Sequence, residues 1–268
     1  MAKYELGIIG AGNMAEAMMR SAMRSHMLPK SAMVASEPSA ARRQFVHRQL
    51  GVACVADNCI PAGCPCVLLA VKPQVMPKVL EEIAPAVQAD ATVITIAAGI
   101  RTALLDKLLG GRGRIVRVMP NTPLLVGCGM SAIAAGPRAT VDDLAWAERL
   151  FSASGKCCQV DERLMDAVTA VSGTGPAYFF FLIETMIAAG VAEGLSEETA
   201  WMLSVQTCAG AARLLEESGQ PPQVLRARVT TPGGTTQRAF ETLEAAGVRD
   251  ALVAAVRAAA ARSRELGK

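Results

Sequence analysis

The fold is decided by residues 6–15, LGIIGAGNMA, in which a short apolar run leads directly into a glycine-rich turn and then a helical pattern. The turn has the form G-x-G-x-x-A, and Gly10 and Gly12 are its two glycines. In this context the first glycine makes a tight turn, the second lets the backbone approach a pyrophosphate, and the helix start at Asn13 and Met14 offers free amides. The stretch therefore predicts a dinucleotide-binding turn; the alternative is a glycine-rich turn without a ligand.

Strand and helix patterns alternate from this turn to about residue 160. Near-continuous Val, Ile and Leu runs are typical of strands buried on both faces, and they are found at Leu6–Ile9, Met33–Ala35, Val67–Val71, Val93–Ala97, Ile115–Val118 and Ser131–Ala134. Amphipathic stretches predict helices at Asn13–Met27, Ala40–Leu50, Val75–Val87 and Val141–Ala153. This alternation predicts an α/β domain with a doubly wound parallel sheet of the Rossmann type and right-handed crossovers.

The pattern changes after about Val160. From there to the end of the chain, Ala, Leu, Glu and Arg recur at helical spacing with glycine and proline breaks, and we find no convincing strand. We therefore divide the chain into a dinucleotide-binding domain, residues 1–160, and an all-helical C-terminal domain, residues 161–268.

Composition narrows the class of protein. The 268-residue chain is 51% hydrophobic, 19% charged and 4% aromatic, with a formal net charge of +3. The apolar fraction excludes a disordered chain, and a weak, scattered charge with few aromatic residues argues against nucleic-acid binding. The most apolar window, Ala177–Val191, is interrupted by Glu184 and falls short of the ~20 residues of a membrane span, so we expect no membrane partner.

The chain contains eight cysteines. Its N-terminal sequence lacks the basic and apolar segments of an export signal, so we expect a cytoplasmic protein with reduced thiols. The group Cys59, Cys64 and Cys66 has neither a second pair nor a histidine at ligand spacing, so we expect no metal site.

Four further segments follow strands, at the sheet edge where ligands of such folds bind. After the second strand, Glu37 favours the ribose of NAD(H), whereas Ser36, Ser39, Arg42 and Arg43 favour a 2′-phosphate, so the residue types leave NAD(H) and NADP(H) open. Two other segments are expected to line the ribose and nicotinamide, and they consist of Ala70, Val71, Lys72 and Pro73 and of Ala97 and Ala98. Met119, which begins a rigid polar turn after another strand, is expected near the nicotinamide.

The helical domain lacks the usual base for alcohol oxidation, because its single lysine is the terminal Lys268 and it has no histidine. Hydride transfer from an alcohol needs such a base, whereas a protonated imine needs only a hydride and a stabilised nitrogen. Pro-Gly-Gly before a helical pattern places Gly234, Thr235 and Thr236 at a helix start. Amides there can bind a substrate carboxylate, and a threonine hydroxyl can contact a ring nitrogen; the alternative is a plain helix cap.

Six segments, in this order and spacing, resemble the pyrroline-5-carboxylate reductase family over essentially the whole chain: GIIGAGNMAEAM (7–18), LLAVKPQVM (68–76), TIAAGI (95–100), RVMPNTP (117–123), AVTAVSGTGPAYFF (167–180) and VTTPGGTTQRAFETLE (229–244). The last segment is specific to that family. The resemblance implies NAD(P)H-dependent reduction of 1-pyrroline-5-carboxylate to L-proline by hydride transfer to the imine carbon, the last step of proline biosynthesis, with NADP(H) preferred over NAD(H). It also implies a homodimer, able to assemble further, with intertwined helical domains and an active site at the subunit interface.

The resemblance implies roles for individual residues as well. It implies that Thr236 is catalytic and contacts the ring nitrogen of the substrate. It implies that amides of Gly234 and Thr235 bind the substrate carboxylate, and that Glu162 and Ser172 line the substrate pocket. Cofactor contacts are implied for the 2′-phosphate at Ser36 and for the ribose at Asn58. Glu37 departs from the small or basic residue expected beside Ser36 in this family.

Other functions are compatible with parts of the sequence. A 3-hydroxy-acid dehydrogenase shares the two-domain plan, but such enzymes place a lysine a few residues after the turn that here reads Ser172–Pro176, and the residues up to Phe181 contain none. A non-catalytic NADP-binding sensor would keep the same fold and dinucleotide turn. An imine reductase for a different ring would keep the whole site.

Overall fold

The computed structural model describes residues 4–267 and divides the chain into two units. The first contains the chain up to Gly173 together with the segment from Ala259 onward, and the second is Thr174–Ala258. The strands of the first unit are β1 Leu6–Ile9, β2 Met33–Ser36, β3 Ala53–Val55, β4 Cys66–Leu69, β5 Thr92–Thr95, β6 Arg114–Met119, β7 Gly129–Ala135 and β8 Gly155–Gln159. They form one sheet in the order β3-β2-β1-β4-β5-β6-β7-β8.

The α-helices of the described residues are α1 Asn13–Arg24, α2 Ala40–Leu50, α3 Cys59–Ala62, α4 Met76–Ile83, α5 Thr102–Leu108, α6 Val141–Ser152, α7 Met165–Val168, α8 Gly175–Ala192, α9 Glu197–Ser218, α10 Pro222–Arg228, α11 Thr235–Ala245 and α12 Val248–Leu266. A π-helical turn, Thr169–Gly173, joins α7 to α8. Most predicted elements are recovered to within a few residues, and α2 has the predicted bounds.

The doubly wound sheet predicted from the alternation is confirmed. β1 pairs in parallel with β2 on one side and with β4 on the other, so the winding direction reverses between β1 and β4. In open α/β sheets, ligands bind beyond the carboxyl ends of the strands at such a switch point. The glycine-rich turn after β1 and the segment after β4 therefore lie at the same edge.

Two features of the sheet differ from the sequence expectation. β7 is antiparallel to β6, because residues 120–128 between them are too few for the crossover of a dozen or more residues that a parallel pair needs. In addition, β3 and β8 were not predicted. Both are edge strands whose side chains are partly or fully exposed, so burial on both faces does not select an apolar run in them.

Two apolar layers cover the faces of the sheet. Successive residues of β4 alternate between them, since Cys66 and Leu68 belong to one cluster and Val67 and Leu69 to the other. Helices α1, α2 and α6 contribute to the first cluster, and α3, α4 and α5 to the second. This packing on both faces fixes the strand ends that form the candidate site.

The first boundary between the two units lies after Gly173, about a dozen residues beyond the boundary expected at residue 160. Residues 162–173 remain with the first unit because Met165 is fully buried against β7. The end of α12 returns to the same unit, where Ser263 Oγ donates to Asp166 Oδ1 at 2.6 Å. The C-terminal helical region is thus anchored to the sheet unit at both of its ends.

The second unit has almost no core of its own. α8 and α9 pack closely, and a Cβ added to Gly190 would lie 3.2 Å from Ala200 Cβ. Among its described side chains only those of Ala200 and Ser204 are buried. Large apolar side chains are instead exposed along α8 and α9: Phe179, Phe180, Phe181, Leu182, Trp201, Met202 and Leu203.

One continuous helical stretch of the described chain, Glu162–Ala192, is long and apolar enough to cross a membrane by length and composition alone. It is longer than the apolar window Ala177–Val191 seen in the sequence, because it also includes α7 and the π-helical turn that precede α8. Only 6% of its most apolar part is buried. Its exposed apolar side chains therefore need a covering surface.

Candidate active site

The backbone conformation and the packing of the turn after β1 require its first glycine, whether or not a ligand binds there. Gly10 has φ +90°, a conformation that residues with a Cβ rarely adopt. A Cβ at Gly10 would also lie 2.8 Å from the carbonyl oxygen of Ala70, the residue that follows β4. The glycine therefore lets the turn pass close to the neighbouring strand end.

The second glycine is explained differently. Gly12 is the N-cap of α1 with φ −69°, and its carbonyl accepts the first helical bond from Glu16 N at 2.9 Å. Apart from its sequence neighbours, no heavy atom of residues 4–267 lies within 4 Å of a Cβ added there. Packing within the chain does not demand glycine at this position. An open approach to unpaired helix-start amides fits the diphosphate of a dinucleotide.

A cleft of about 330 Å³ lies beside this turn in the first unit. Its lining includes eight residues that were expected from the sequence to contact the cofactor: Met14, Ala70, Val71, Lys72, Pro73, Ala97, Ala98 and Met119. They come from α1, from the segments after β4 and β5, and from the last residue of β6, and the fold brings them together at one cleft. The cleft is lined mainly by small and apolar side chains.

Asn121, to which the sequence assigned no role, also lines the cleft. Its Oδ1 accepts from Met130 N at 2.8 Å, and its Nδ2 donates to Ser172 Oγ at 3.4 Å. Ser172 lies in the π-helical turn, whose neighbour Gly173 lines the same cleft. The polar turn after β6 was visible in the sequence, but the fixed asparagine amide was not.

Ser36 ends β2, and Asn58 immediately precedes α3. The Ser36 side chain is fully buried, and its hydroxyl donates to Asn58 Oδ1 at 2.7 Å. Asn58 Nδ2 in turn donates to Glu82 Oε2 at 3.0 Å. The two residues that the resemblance assigned to the cofactor are thus neighbours here and bond to each other. Their contacts with the 2′-phosphate and the ribose stay predictions.

Glu162 has a different environment from the one expected for a pocket-lining residue. Its Oε1 accepts from Thr102 N at 2.7 Å, and its Oε2 accepts from Thr102 Oγ1 at 2.7 Å. Oε1 also lies 3.4 Å from the guanidinium of Arg117, which is only 4% exposed. Glu162 therefore joins the start of α5 to a buried arginine of β6. Its contact with the substrate stays a prediction.

The remaining predicted residues lie in the second unit, at the start of α11. Gly233 has φ +73°, and Gly234 is the N-cap, whose N–H donates to Thr231 O at 3.0 Å. The first helical bond runs from Arg238 N to Gly234 O at 3.2 Å, so the N–H groups of Thr235 and Thr236 precede the helical bonds. The predicted helix start is present, with two amides that can bind an anion.

Comparison with known proteins agrees with the two-part organisation. A family model described as pyrroline-5-carboxylate reductase dimerisation matches residues 162–266, and one described as NADP oxidoreductase coenzyme F420-dependent matches residues 5–99. A pyrroline-5-carboxylate reductase of Synechocystis is 43% identical over 98% of both chains.

Solved structures of pyrroline-5-carboxylate reductases are also similar to this chain over its whole length. A pyrroline-5-carboxylate reductase structure from Coxiella burnetii has a TM-score of 0.91 and 35% identity over 99% of both chains. The Plasmodium falciparum pyrroline carboxylate reductase, solved with NADP bound, has a TM-score of 0.90 and 31% identity over 100% of both chains. Similarity extends over both units, so the chain belongs to the pyrroline-5-carboxylate reductase family.

Proposed function

We propose that this chain reduces 1-pyrroline-5-carboxylate to L-proline, with NADP(H) as the preferred hydride donor and NAD(H) as the alternative. The observation that carries this proposal is the cleft beside the dinucleotide turn, whose lining contains no histidine and, as its one lysine, the exposed Lys72. An imine substrate needs no base to remove a hydroxyl proton, whereas a hydroxy acid does. The relative solved with NADP bound supports the choice of cofactor.

The residues of this chain act by binding and orientation. The helix start after Gly12 suits the diphosphate, and the bound cofactor supplies a hydride. The N–H groups of Thr235 and Thr236 bind the substrate carboxylate, and the Thr236 hydroxyl contacts the ring nitrogen. The nitrogen is already protonated when the substrate binds, so addition of hydride to the imine carbon completes the secondary amine. Most of the rate then comes from positioning.

The test measures loss of reduced-nicotinamide absorbance with pyrroline-5-carboxylate, for wild type and for Thr236→Ala and Thr236→Ser. We expect Thr236→Ala to lose ~10–1000-fold in kcat/KM, since an oriented hydrogen bond is worth ~1.5–4 kcal/mol. Thr236→Ser keeps the hydroxyl and should retain most activity. Near-wild-type turnover by the alanine variant would contradict this role.

The same assay separates the competing functions. A 3-hydroxy-acid dehydrogenase would oxidise a hydroxy acid and leave the pyrroline unreduced. A sensor would bind NADPH without turnover of either substrate. An imine reductase for a different ring would reduce larger or sulfur-containing cyclic imines faster than pyrroline-5-carboxylate.

We further propose a homodimer, able to assemble further, in which the helical units of two copies complete each other's core and active site. The match to a dimerisation model supports this, and so do Phe179, Phe180 and Phe181, which are 58%, 64% and 70% exposed in the single chain. A partner copy would cover the apolar stretch of α8, which needs no membrane for its burial. Light scattering at micromolar concentration tests the assembly, and a uniform monomer would contradict it.

We also propose a cytoplasmic location. All eight cysteines are free thiols in the structure, which suits a reducing compartment. Cell fractionation with an antibody against the native chain tests the location, and recovery in a membrane fraction would contradict it.

A further inference from the structure

Glu37 lies at the end of β2, against the dinucleotide turn. Its Oε2 accepts a hydrogen bond from Ala11 N, between the two glycines of the turn, at 3.2 Å. Its Oε1 accepts from Ser39 N at 3.1 Å. In folds of this type an acidic residue at the end of the second strand accepts a hydrogen bond from a ribose hydroxyl. These two bonds hold the carboxylate beside the turn, where it can accept from such a hydroxyl.

Arg42, a cation on the same turn, is committed to other partners. Arg42 Nε donates to Ala11 O at 2.6 Å, and its terminal nitrogen forms an ion pair with Glu16 at 2.7 Å. Its guanidinium also stacks on Phe45, 4.7 Å from the ring centroid. These contacts hold Arg42 on the turn. The ion pair with Glu16 offsets most of the charge of its guanidinium.

Two further groups that could bind a 2′-phosphate, Arg43 and the Ser36 hydroxyl, are engaged as well. Arg43 donates to the carbonyl oxygens of Glu37 and Pro38 at 2.8 and 2.7 Å. The Ser36 hydroxyl is buried in its bond to Asn58. A carboxylate oxygen can accept more than one hydrogen bond, so Glu37 can accept from the ribose without losing a partner, whereas the two arginines and Ser36 would first have to break existing bonds.

We propose that Glu37 sets the cofactor selectivity of this chain. Its carboxylate accepts from the 2′-hydroxyl of NADH and repels the 2′-phosphate of NADPH, so it lowers the affinity for NADPH relative to that for NADH. This inference rests on the proposed function, since it assumes that the turn binds a nicotinamide dinucleotide. It is independent of the reaction that follows binding.

The experiment measures the Kd of NADPH and of NADH by calorimetric titration, without substrate, for wild type, Glu37→Gln and Glu5→Gln. Glutamine keeps one oxygen that can accept from Ala11 N, while the charge and the acceptor for Ser39 N are lost. Glu5→Gln removes the same charge from an exposed residue just before β1, at the opposite edge of the sheet. It therefore corrects for the general effect of net charge.

We expect Glu37→Gln to lower the Kd of NADPH by about tenfold, because a charge repulsion at close range is removed. The Kd of NADH should change by no more than about threefold, and Glu5→Gln should change neither Kd by more than about twofold. A Kd ratio that Glu37→Gln leaves unchanged, or an equal weakening of both cofactors, would overturn the inference while leaving the proposed reaction intact. Failure of the wild type to bind either dinucleotide would overturn both.

Discussion

Removal of the Glu162 carboxylate should destabilise the sheet unit rather than only weaken substrate binding. In Glu162→Ala, the buried guanidinium of Arg117 loses the carboxylate 3.4 Å away. Thr102 N and Thr102 Oγ1 also lose the oxygens that accept their hydrogen bonds at the start of α5. Three polar groups are therefore left without the partner that they have in the native chain.

The magnitude follows from the burial of the two charges. Breaking a buried ion pair by removing one partner costs about 3–5 kcal/mol, and a Glu162 side chain that is 25% exposed places this pair near the lower end. Loss of the acceptor at the helix start adds about 1 kcal/mol. We therefore expect Glu162→Ala to lower the free energy of unfolding by about 4 kcal/mol.

A second substitution separates the loss of stability caused by the broken ion pair from the loss caused at the start of α5. Arg117→Met in the Glu162→Ala background removes the unpaired charge and leaves an apolar side chain of similar length, so about 2–3 kcal/mol should be recovered. The measurement is urea unfolding of wild type, both single variants and the double variant, monitored by circular dichroism.

The outcome discriminates between two roles for Glu162. The family resemblance assigned it to the substrate pocket, and a residue that only contacts substrate would raise KM without changing the unfolding midpoint. A loss below about 1 kcal/mol for Glu162→Ala, or a double variant less stable than the single one, would refute the ion-pair reasoning.

Three other predictions concern separate parts of the chain. Gly12→Ala should leave Tm within about 2 °C but weaken NADPH binding at least about tenfold, whereas Gly10→Ala should cost about 1–3 kcal/mol of stability. Scanning calorimetry of the protein without cofactor and calorimetric titration with NADPH check both variants. Equal losses of Tm in the two variants would contradict this difference between the glycines. Burial acts to raise the pKa of Asp143, but hydrogen bonds from Arg114 and two threonines outweigh it and hold that pKa well below its usual range. The stability it contributes is therefore complete above the ordinary carboxyl pKa of about 4 and declines at lower pH, so Asp143→Asn should flatten this decline in urea unfolding; parallel curves would contradict it. Phe180→Glu should shift the chain toward monomer in light scattering, and an unchanged mass would contradict the proposed interface.

The part of the site that could be predicted from sequence is built from backbone. Ala70, Ala97 and Met119 were assigned to the cofactor only because they follow buried strands, and the cleft gathers all three. Their side chains need no particular chemistry. The order of strands in a doubly wound sheet is enough to bring these segments to one edge.

Side-chain pairing was not predictable in the same way. Ser36 and Glu162 were assigned from residue type and resemblance, yet the first bonds to Asn58 and the second to Thr102 in the structure. Their partners are 22 and 60 residues away in sequence. Neither spacing follows from a helix or strand period, because it depends on which loops the fold brings together.

The two glycines of the turn show why this motif carries more information than its letters. Gly10 has a positive φ and a close neighbour, so the fold alone would retain it even without a ligand. Gly12 has an ordinary φ and open space beside it, and the chain gains nothing in packing from the missing side chain. The fold does not require glycine at this helix start, where the amides are unpaired. The close approach of a bound dinucleotide accounts for it. The second glycine is therefore the better indicator of function, and its substitution is the more specific test.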